Sequence, residues 1–163
     1  MVSIRPATID DLLGIQDCNI SCLPENYSFK YYYYHYVNWP SLMFVAEDRR
    51  TNKVVGYVLA KIDDDEDSEE SSTKGHITSL SVLREYRRMG IAKRLMEATH
   101  TAMKSIYDLE MVTLHVRAGN IAALGLYRDI LKYDVMSTDI GYYLDGEDAF
   151  SMKKVLTETY PDI

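Results

Sequence analysis

Ser79-Leu80-Ser81-Val82-Leu83-Arg84-Glu85-Tyr86-Arg87-Arg88-Met89-Gly90-Ile91-Ala92 is the stretch that decides how this chain folds. Its first four residues close a β-rich run over His76–Val82. Its last residues open an apolar stripe at helical spacing, Ile91, Leu95, Ala98, Ala102, Met103 and Ile106. A strand therefore passes through a basic turn straight into a long helix that starts at Gly90. The first N–H groups of such a helix have no internal partners, and the helix dipole adds positive potential at that end. Arg87 and Arg88 add full charges, and Gly90 lets backbone come close to a ligand. The combination is a receptor for a diphosphate. Taken alone, two arginines ahead of a helix also describe a solvated loop.

Upstream, Val2–Pro6 reads as a strand closed by its proline, and Thr8 caps a helix with Asp11 as the return arm of a short capping box. Leu12, Ile15, Gln16, Asn19 and Ile20 give that helix a rather polar inner face. Leu23-Pro24-Glu25-Asn26-Tyr27 breaks it, and a second helix over Phe29–Asn38 carries Tyr31, Tyr32, Tyr33, Tyr34 and Tyr36. Leu42–Glu47 and Val54–Ile62 form a hairpin around Arg49-Arg50-Thr51-Asn52. Downstream, Met111–Val116 is a strand. Asn120 is an N-cap for a helix with Ile121, Leu124, Tyr127 and Leu131 on one face. Tyr133–Ser137, Gly141–Leu144 and Phe150–Val155 read as β, with Asp145-Gly146-Glu147-Asp148 as a hairpin turn. The predicted order is β-α-α-β-β-β-α-β-α-β-β. It describes one α/β domain over residues 1–156 with a mixed sheet, followed by a short tail, 157–163.

The chain has 163 residues, with 18 Lys+Arg against 25 Asp+Glu and a net charge of −7. Seven of those acids fall in the eight positions Asp63–Glu70, so the remainder is formally neutral, 18 against 18. The acidity is local, and residues 63–73 are expected to be an acidic surface loop. Without an excess of base, a general nucleic-acid binder is excluded. No apolar run reaches the roughly 20 residues of a membrane span, and the first residues do not read as a signal peptide. Cys18 and Cys22, one helical turn apart without a second Cys/His pair, point to neither a zinc site nor a disulfide framework. Plain thiols in a cytoplasmic or nuclear compartment and no bound metal are the expectation.

Arg87-x-x-Gly90-x-Ala92, with the strand before it and the helix after it, resembles the acetyl-CoA pyrophosphate loop of the GNAT superfamily of N-acetyltransferases. Four further segments are similar to the catalytic subunit of NatA-type amino-terminal acetyltransferases. They are Leu23–Tyr27 with the Tyr-rich helix, Gly75–Val82, Leu114-His115-Val116-Arg117, and Tyr142-Tyr143-Leu144-Asp145-Gly146-Glu147-Asp148-Ala149. The resemblance covers about residues 1–156. It implies a mixed, mostly antiparallel central sheet flanked by helices. It also implies acetyl-CoA as cosubstrate and attack of a free amine on the thioester. One departure stands out. Ala118-Gly119-Asn120-Ile121 replaces the family's basic-Ser-Asn-Arg stretch and removes two positive side chains beside the cofactor entrance.

The resemblance assigns Leu80, Ser81, Val82, Arg87, Arg88, Met89, Gly90, Ile91, Ala92 and Asn120 to the cofactor, with an oxyanion-binding N–H near Ser81 or Val82. Glu25 is the first candidate for base or substrate positioner. His76 and His115 are alternatives, since histidine titrates closest to neutrality. A structural histidine bonded to a neighbour is an equal reading for His115 and the favoured one for His76. Tyr127 occupies the position of the proton donor to the CoA sulfur, but it also lies on its helix's apolar stripe. Leu23, Tyr27, Arg117, Tyr142 and Tyr143 would bind the peptide; on an alternating strand only one of the two tyrosines would enter the site. Tyr31–Tyr36 suit packing and partner contact rather than catalysis.

The implied activity is acetylation of protein α-amino termini. The chain would be the catalytic half of a heterodimer with a large helical-repeat auxiliary subunit, which would bring it to the ribosome. An α-amine, with a pKa of about 7.7–8.0 against about 10.4 for lysine, is the easier amine to use near neutral pH. Acetylation of lysine or small amines by the same fold, and a non-catalytic acetyl-CoA-binding module, are the competing readings.

Overall fold

In the computed structural model, residues 1–63 and 73–157 are described. Most of the expected acidic loop and of the tail lies outside them. Asp63, assigned above to the loop, instead ends a strand.

Among the described residues, seven strands appear in the order β1-β2-β3-β4-β5-β7-β6. They are β1 (Val2–Pro6), β2 (Phe44–Asp48), β3 (Lys53–Asp63), β4 (Lys74–Val82), β5 (Met111–Arg117), β6 (Asp134–Asp139) and β7 (Ala149–Val155). The pairs β1/β2, β2/β3, β5/β7 and β6/β7 are antiparallel, whereas β4/β5 is parallel. The mixed, mostly antiparallel sheet read from the sequence is therefore present. The helices are α1 (Leu12–Cys22), α2 (Phe29–Asn38), α3 (Ile91–Ser105) and α4 (Ile121–Leu124). The described residues group into two compact units. One holds Met1–Lys61 and Thr78–Asp108, the other the described part of Ile62–Ile77 and the chain from Leu109 on.

In the first unit, a single 3₁₀ turn over Ile9–Asp11 precedes α1. The Asp11 carboxylate accepts the Thr8 backbone N–H at 2.8 Å, the expected return arm of the box. It also takes two hydrogen bonds from Arg5, at 2.7 and 2.9 Å. Leu12, Ile15, Cys18 and Asn19 face inward, whereas Ile20, placed on that face from its spacing, is exposed. The smaller Cys18 takes the place one turn after Ile15, its Sγ 3.9 Å from Ser81 Oγ. Tyr32, Val45, Tyr57 and Leu59 complete this core. Large-to-Ala changes in such a core cost about 2–5 kcal/mol.

His35 of α2 is almost fully buried. Its Nδ1–H donates to the Tyr31 carbonyl at 3.2 Å, which leaves Nε2 to accept from the Thr78 hydroxyl at 3.1 Å. Burial pushes its pKa down from 6.5 to about 4, partly offset by the Tyr31 carbonyl and helped by Lys61. The unfolded chain therefore takes up this proton first, so stability falls as the pH drops from about 6.5 to about 4. We expect the melting temperature to decline across that window and His35→Gln to flatten the decline. An unchanged pH dependence would separate His35 from acid unfolding.

In the second unit, α4 lasts one turn and then widens into a π-helical turn over Gly125–Ile130, with Leu131 N–H bonded to the Leu126 carbonyl at 2.9 Å. Asn120 caps α4 as expected, its Oδ1 accepting Ala123 N–H at 3.1 Å. Ile121, placed on the apolar face by periodicity, is exposed at the first position of α4, whereas Leu124, Tyr127 and Leu131 are buried. Gly141–Leu144 is not a strand. Residues 140–148 form a single loop between β6 and β7.

Candidate active site

The first unit carries the loop read as a diphosphate receptor. β4 ends at Val82, a 3₁₀ turn spans Arg84–Tyr86, and α3 starts at Ile91. Between them the backbone of Arg88 and of Gly90 turns left-handed, with φ of 64° and 77°. Such turns gather successive N–H groups into a concavity that holds anions, and here they meet the N-terminus of a 15-residue helix. Gly90 takes this conformation without strain, and a Cβ built there would meet nothing within 4 Å. Arg87 Nε–H donates to the Val82 carbonyl at 2.9 Å, tying the loop to the strand end. Arg88 and Met89 are exposed, Ile91 is buried as the helix's first core residue, and Leu80 and Ala92 are half-buried. Ser81 and Val82 are buried at the end of β4, where Cys22 Sγ also reaches the Val82 carbonyl at 3.6 Å.

Glu25 sits half-buried in the loop between α1 and α2. Its backbone carbonyl accepts from Asn19 Nδ2 at 3.0 Å. The same amide donates to Tyr57 Oη at 3.0 Å, and Tyr57 Oη lies 2.7 Å from Ser79 Oγ. Asn19 and Tyr57 are fully buried, so this chain pins the Glu25 loop to β3 and β4. The pin was missed above, although an Asn on an apolar stripe is its one visible signal. Leu23 is half-buried, and Tyr27 stacks on Tyr31 at 4.6 Å and meets Tyr32 edge-on at 6.0 Å. The tyrosine run thus divides: Tyr32 is core, whereas Tyr33 and Tyr34 are exposed.

The second unit brings the remaining candidates together. His76 and His115 lie on the paired strands β4 and β5, with ring centroids 5.7 Å apart. His76 Nδ1 is 2.9 Å from Thr113 Oγ1 and 3.8 Å from Asp63 Oδ2. His115 Nε2 is 3.2 Å from Asp139 Oδ2, and its ring stacks on Tyr142 at 4.5 Å and 11°. Asp139 was not anticipated. Tyr142 and Tyr143 do not alternate as strand residues would, because their segment is loop. Tyr142 covers His115, while Tyr143 lies under the Arg117 guanidinium at 4.0 Å.

Arg117, expected to close the peptide side, donates from Nη1 to Asp145 Oδ2 and Glu147 Oε2, both at 2.8 Å. Its charge is engaged in holding loop 140–148. Glu147 Oε1 also accepts Gly119 N–H at 2.9 Å, so the segment that departs from the family pattern serves to anchor the same loop. The Arg117 and Gly119 donors hold the Glu147 carboxyl below its usual range, and the Glu147 N–H with Arg117 does the same for Asp145.

Tyr127 lies in the π-helical turn, nearly buried, its ring 5.9 Å from that of Tyr133. Burial, with Tyr143 nearby, pushes its hydroxyl pKa up, so it stays protonated and able to donate. If that proton goes to the departing sulfur, Tyr127→Phe lowers turnover about a hundredfold without changing acetyl-CoA affinity or melting temperature. A wild-type rate would make Tyr127 a packing residue. Among the described residues, no group of three His, Cys, Asp or Glu side chains could hold a metal ion, and no helix is long and apolar enough to cross a membrane.

Residues 12–133 match the acetyltransferase (GNAT) family. The chain is 51% identical over 156 residues to the N-terminal acetyltransferase A complex catalytic subunit NAA10 of Arabidopsis thaliana, covering 96% of this chain and 79% of that protein. It is 49% identical over 157 residues to the N-alpha-acetyltransferase daf-31 of Caenorhabditis elegans, covering 96% and 84%. Among solved structures, that of the NatC complex bound to Gag peptide and CoA superposes with a TM-score of 0.87 at 29% identity, covering 96% of this chain and 99% of that one. With the strand–loop–helix geometry of residues 79–92 in place, the chain belongs to the acetyltransferase (GNAT) family, and within it to the N-terminal acetyltransferase catalytic subunits.

Proposed function

We propose that the protein transfers the acetyl group of acetyl-CoA to the free α-amino group of protein N-termini. The observation that carries this is the left-handed Arg88 and Gly90 backbone in the loop that joins β4 to α3, in a chain half identical to N-terminal acetyltransferase catalytic subunits. Loop N–H groups and the two arginines take the diphosphate of CoA. The amine gives up its proton through Glu25 or His115, its nitrogen bonds to the thioester carbon, and the carbon–sulfur bond breaks. A backbone N–H near Ser81 or Val82 stabilises the oxyanion, and the Tyr127 hydroxyl protonates the thiolate. Leu23 and Tyr27, and separately Tyr142, are the side chains that the resemblance assigns to the peptide.

The protein acts as the catalytic partner in a heterodimer. Support comes from the Arabidopsis relative's description as a complex subunit and from the exposed apolar side chains Leu13, Ile20, Phe29, Tyr33, Tyr34 and Val37 on α1 and α2. A large helical-repeat subunit, delivery to nascent chains at the ribosome, and a cytoplasmic site of action are further parts of the proposal. They rest on the resemblance of the Leu23–Tyr27 loop and the Tyr142–Ala149 segment to NatA-type subunits.

The deciding assay compares peptides that begin with Ser, Ala, Met or Glu with amino-blocked peptides carrying lysine. Release of CoA with the free-amino peptides is expected. Turnover confined to the blocked lysine peptides would replace this function with lysine acetylation, and acetyl-CoA binding without turnover on any peptide would make the chain a non-catalytic module.

A further inference from the structure

The β6/β7 ladder contains a bulge. Asp134 and Val135 pair with Lys153 and Met152, yet Ser137 and Asp139 pair with Ser151 and Ala149, so Met136 is an extra residue. Without it, continued pairing would place Asp139 on the opposite face of the sheet, because side chains alternate with period two. The bulge re-aims Asp139. On the adjoining strand His115 pairs with Ser151, so His115, Ser151 and Ser137 form a row on one face, with Asp139 one step along it. Ser151 is small enough for the His115 ring to reach over it. The result is the 3.2 Å contact between His115 Nε2 and Asp139 Oδ2, with Tyr142 stacked at 4.5 Å on the ring.

We propose that Asp139 is the positioning residue of His115: by accepting Nε2–H it fixes the tautomer whose lone pair lies at Nδ1, and Tyr142 fixes the plane in which that lone pair points. A carboxylate can only accept, so a neutral His115 bonded to it must carry its proton on Nε2. The proton of the substrate ammonium, taken directly or through one water, then goes to Nδ1, and the imidazolium formed is paired with Asp139. The same arrangement of a carboxylate holding one ring nitrogen while the other does the chemistry serves many histidine bases. Among the described residues, the other titratable groups facing the ring include Tyr142, stacked on it at 4.5 Å, and His76, 5.7 Å away, with Nδ1 near Asp63 and Thr113. The inference rests on the reading that His115 takes part in acetyl transfer.

The test uses the full chain with ¹⁵N-labelled histidine. In the wild type, the neutral His115 ring should show the Nε2–H tautomer. Asp139→Ala should give mixed tautomers and a roughly tenfold lower kcat, with an unchanged KM for acetyl-CoA. Asp139→Glu should restore both, and Asp139→Ala should add little to His115→Ala. Asp139 is half-buried on the edge strand, with its side chain 41% accessible, and an unchanged melting temperature of each variant checks that the fold is kept. An unchanged tautomer in Asp139→Ala overturns the proposal, as does a mixed tautomer with a wild-type kcat when His115→Ala is slow. A wild-type rate in His115→Ala instead overturns the underlying role of His115, whatever the tautomer shows.

Discussion

Arg87→Ala combined with Arg88→Ala should raise the dissociation constant of acetyl-CoA by about a hundredfold or more. Each charge-assisted hydrogen bond to phosphate is worth roughly 1.5–3 kcal/mol, and about 1.4 kcal/mol corresponds to a tenfold change. Both side chains are solvent-accessible, so the lower end of that range applies. Arg87 has a second function, because its Nε holds the Val82 carbonyl and so fixes the loop's take-off from β4. Arg87→Ala alone should therefore cost more than Arg88→Ala alone. Calorimetric titration with acetyl-CoA measures both. Turnover at saturating acetyl-CoA should stay within a few-fold of wild type, since neither side chain touches the reacting atoms. A change of less than threefold in the double variant would remove this loop from cofactor binding.

Glu25→Gln should lower kcat by about 10²–10⁴, the usual contribution of a positioned acid or base. The substitution spares the hydrogen bonds that pin the loop. Asn19 holds the backbone carbonyl of Glu25, not its carboxylate, so glutamine leaves the pin to Tyr57 and Ser79 intact. Affinity for acetyl-CoA should be unchanged. The pH dependence adds a second criterion. If Glu25 serves only to deprotonate the substrate, solvent can do so once the pH exceeds the α-amine pKa of about 7.7–8.0. The variant should then recover part of its rate as pH rises from 7 to 9, on a peptide beginning with Ser. A flat, low rate would make Glu25 a substrate-positioning group, and a wild-type rate would remove it from the mechanism.

Much of this molecule can be read from local pattern. The element order, the bounds of α2, the Asn120 cap and the strand–basic turn–helix unit at 79–92 all depend on neighbours within a turn or a strand length. Periodicity, capping chemistry and the charge of Arg87 and Arg88 report those directly. Where the pattern failed, longer-range packing had decided. Ile20 and Ile121 are apolar and correctly spaced, yet exposed. The inner place on α1 went to Cys18, which fits against Ser81, and on α4 the buried residues begin at Leu124, past the first helical position that Ile121 holds. The 140–148 segment looks like a strand with a turn. Instead it is a loop held by Arg117, with Asp145 and Glu147 as partners 28 and 30 residues away.

The site follows the same division. The sequence by itself determined the chemistry available: a diphosphate loop, a carboxylate in a Pro-Asn loop, two strand histidines and a tyrosine on the last helix. These are residue types at short spacings, and their intrinsic reactivity travels with them. Only the tertiary structure decided what each is held by. Asn19 and Tyr57 are 38 residues apart and meet because α1 packs on β3. Asp139 reaches His115, 24 residues away, because one extra residue in β6 turns it to the right face. Strand register and helix docking are set by the burial of whole faces, which no short stretch of sequence contains.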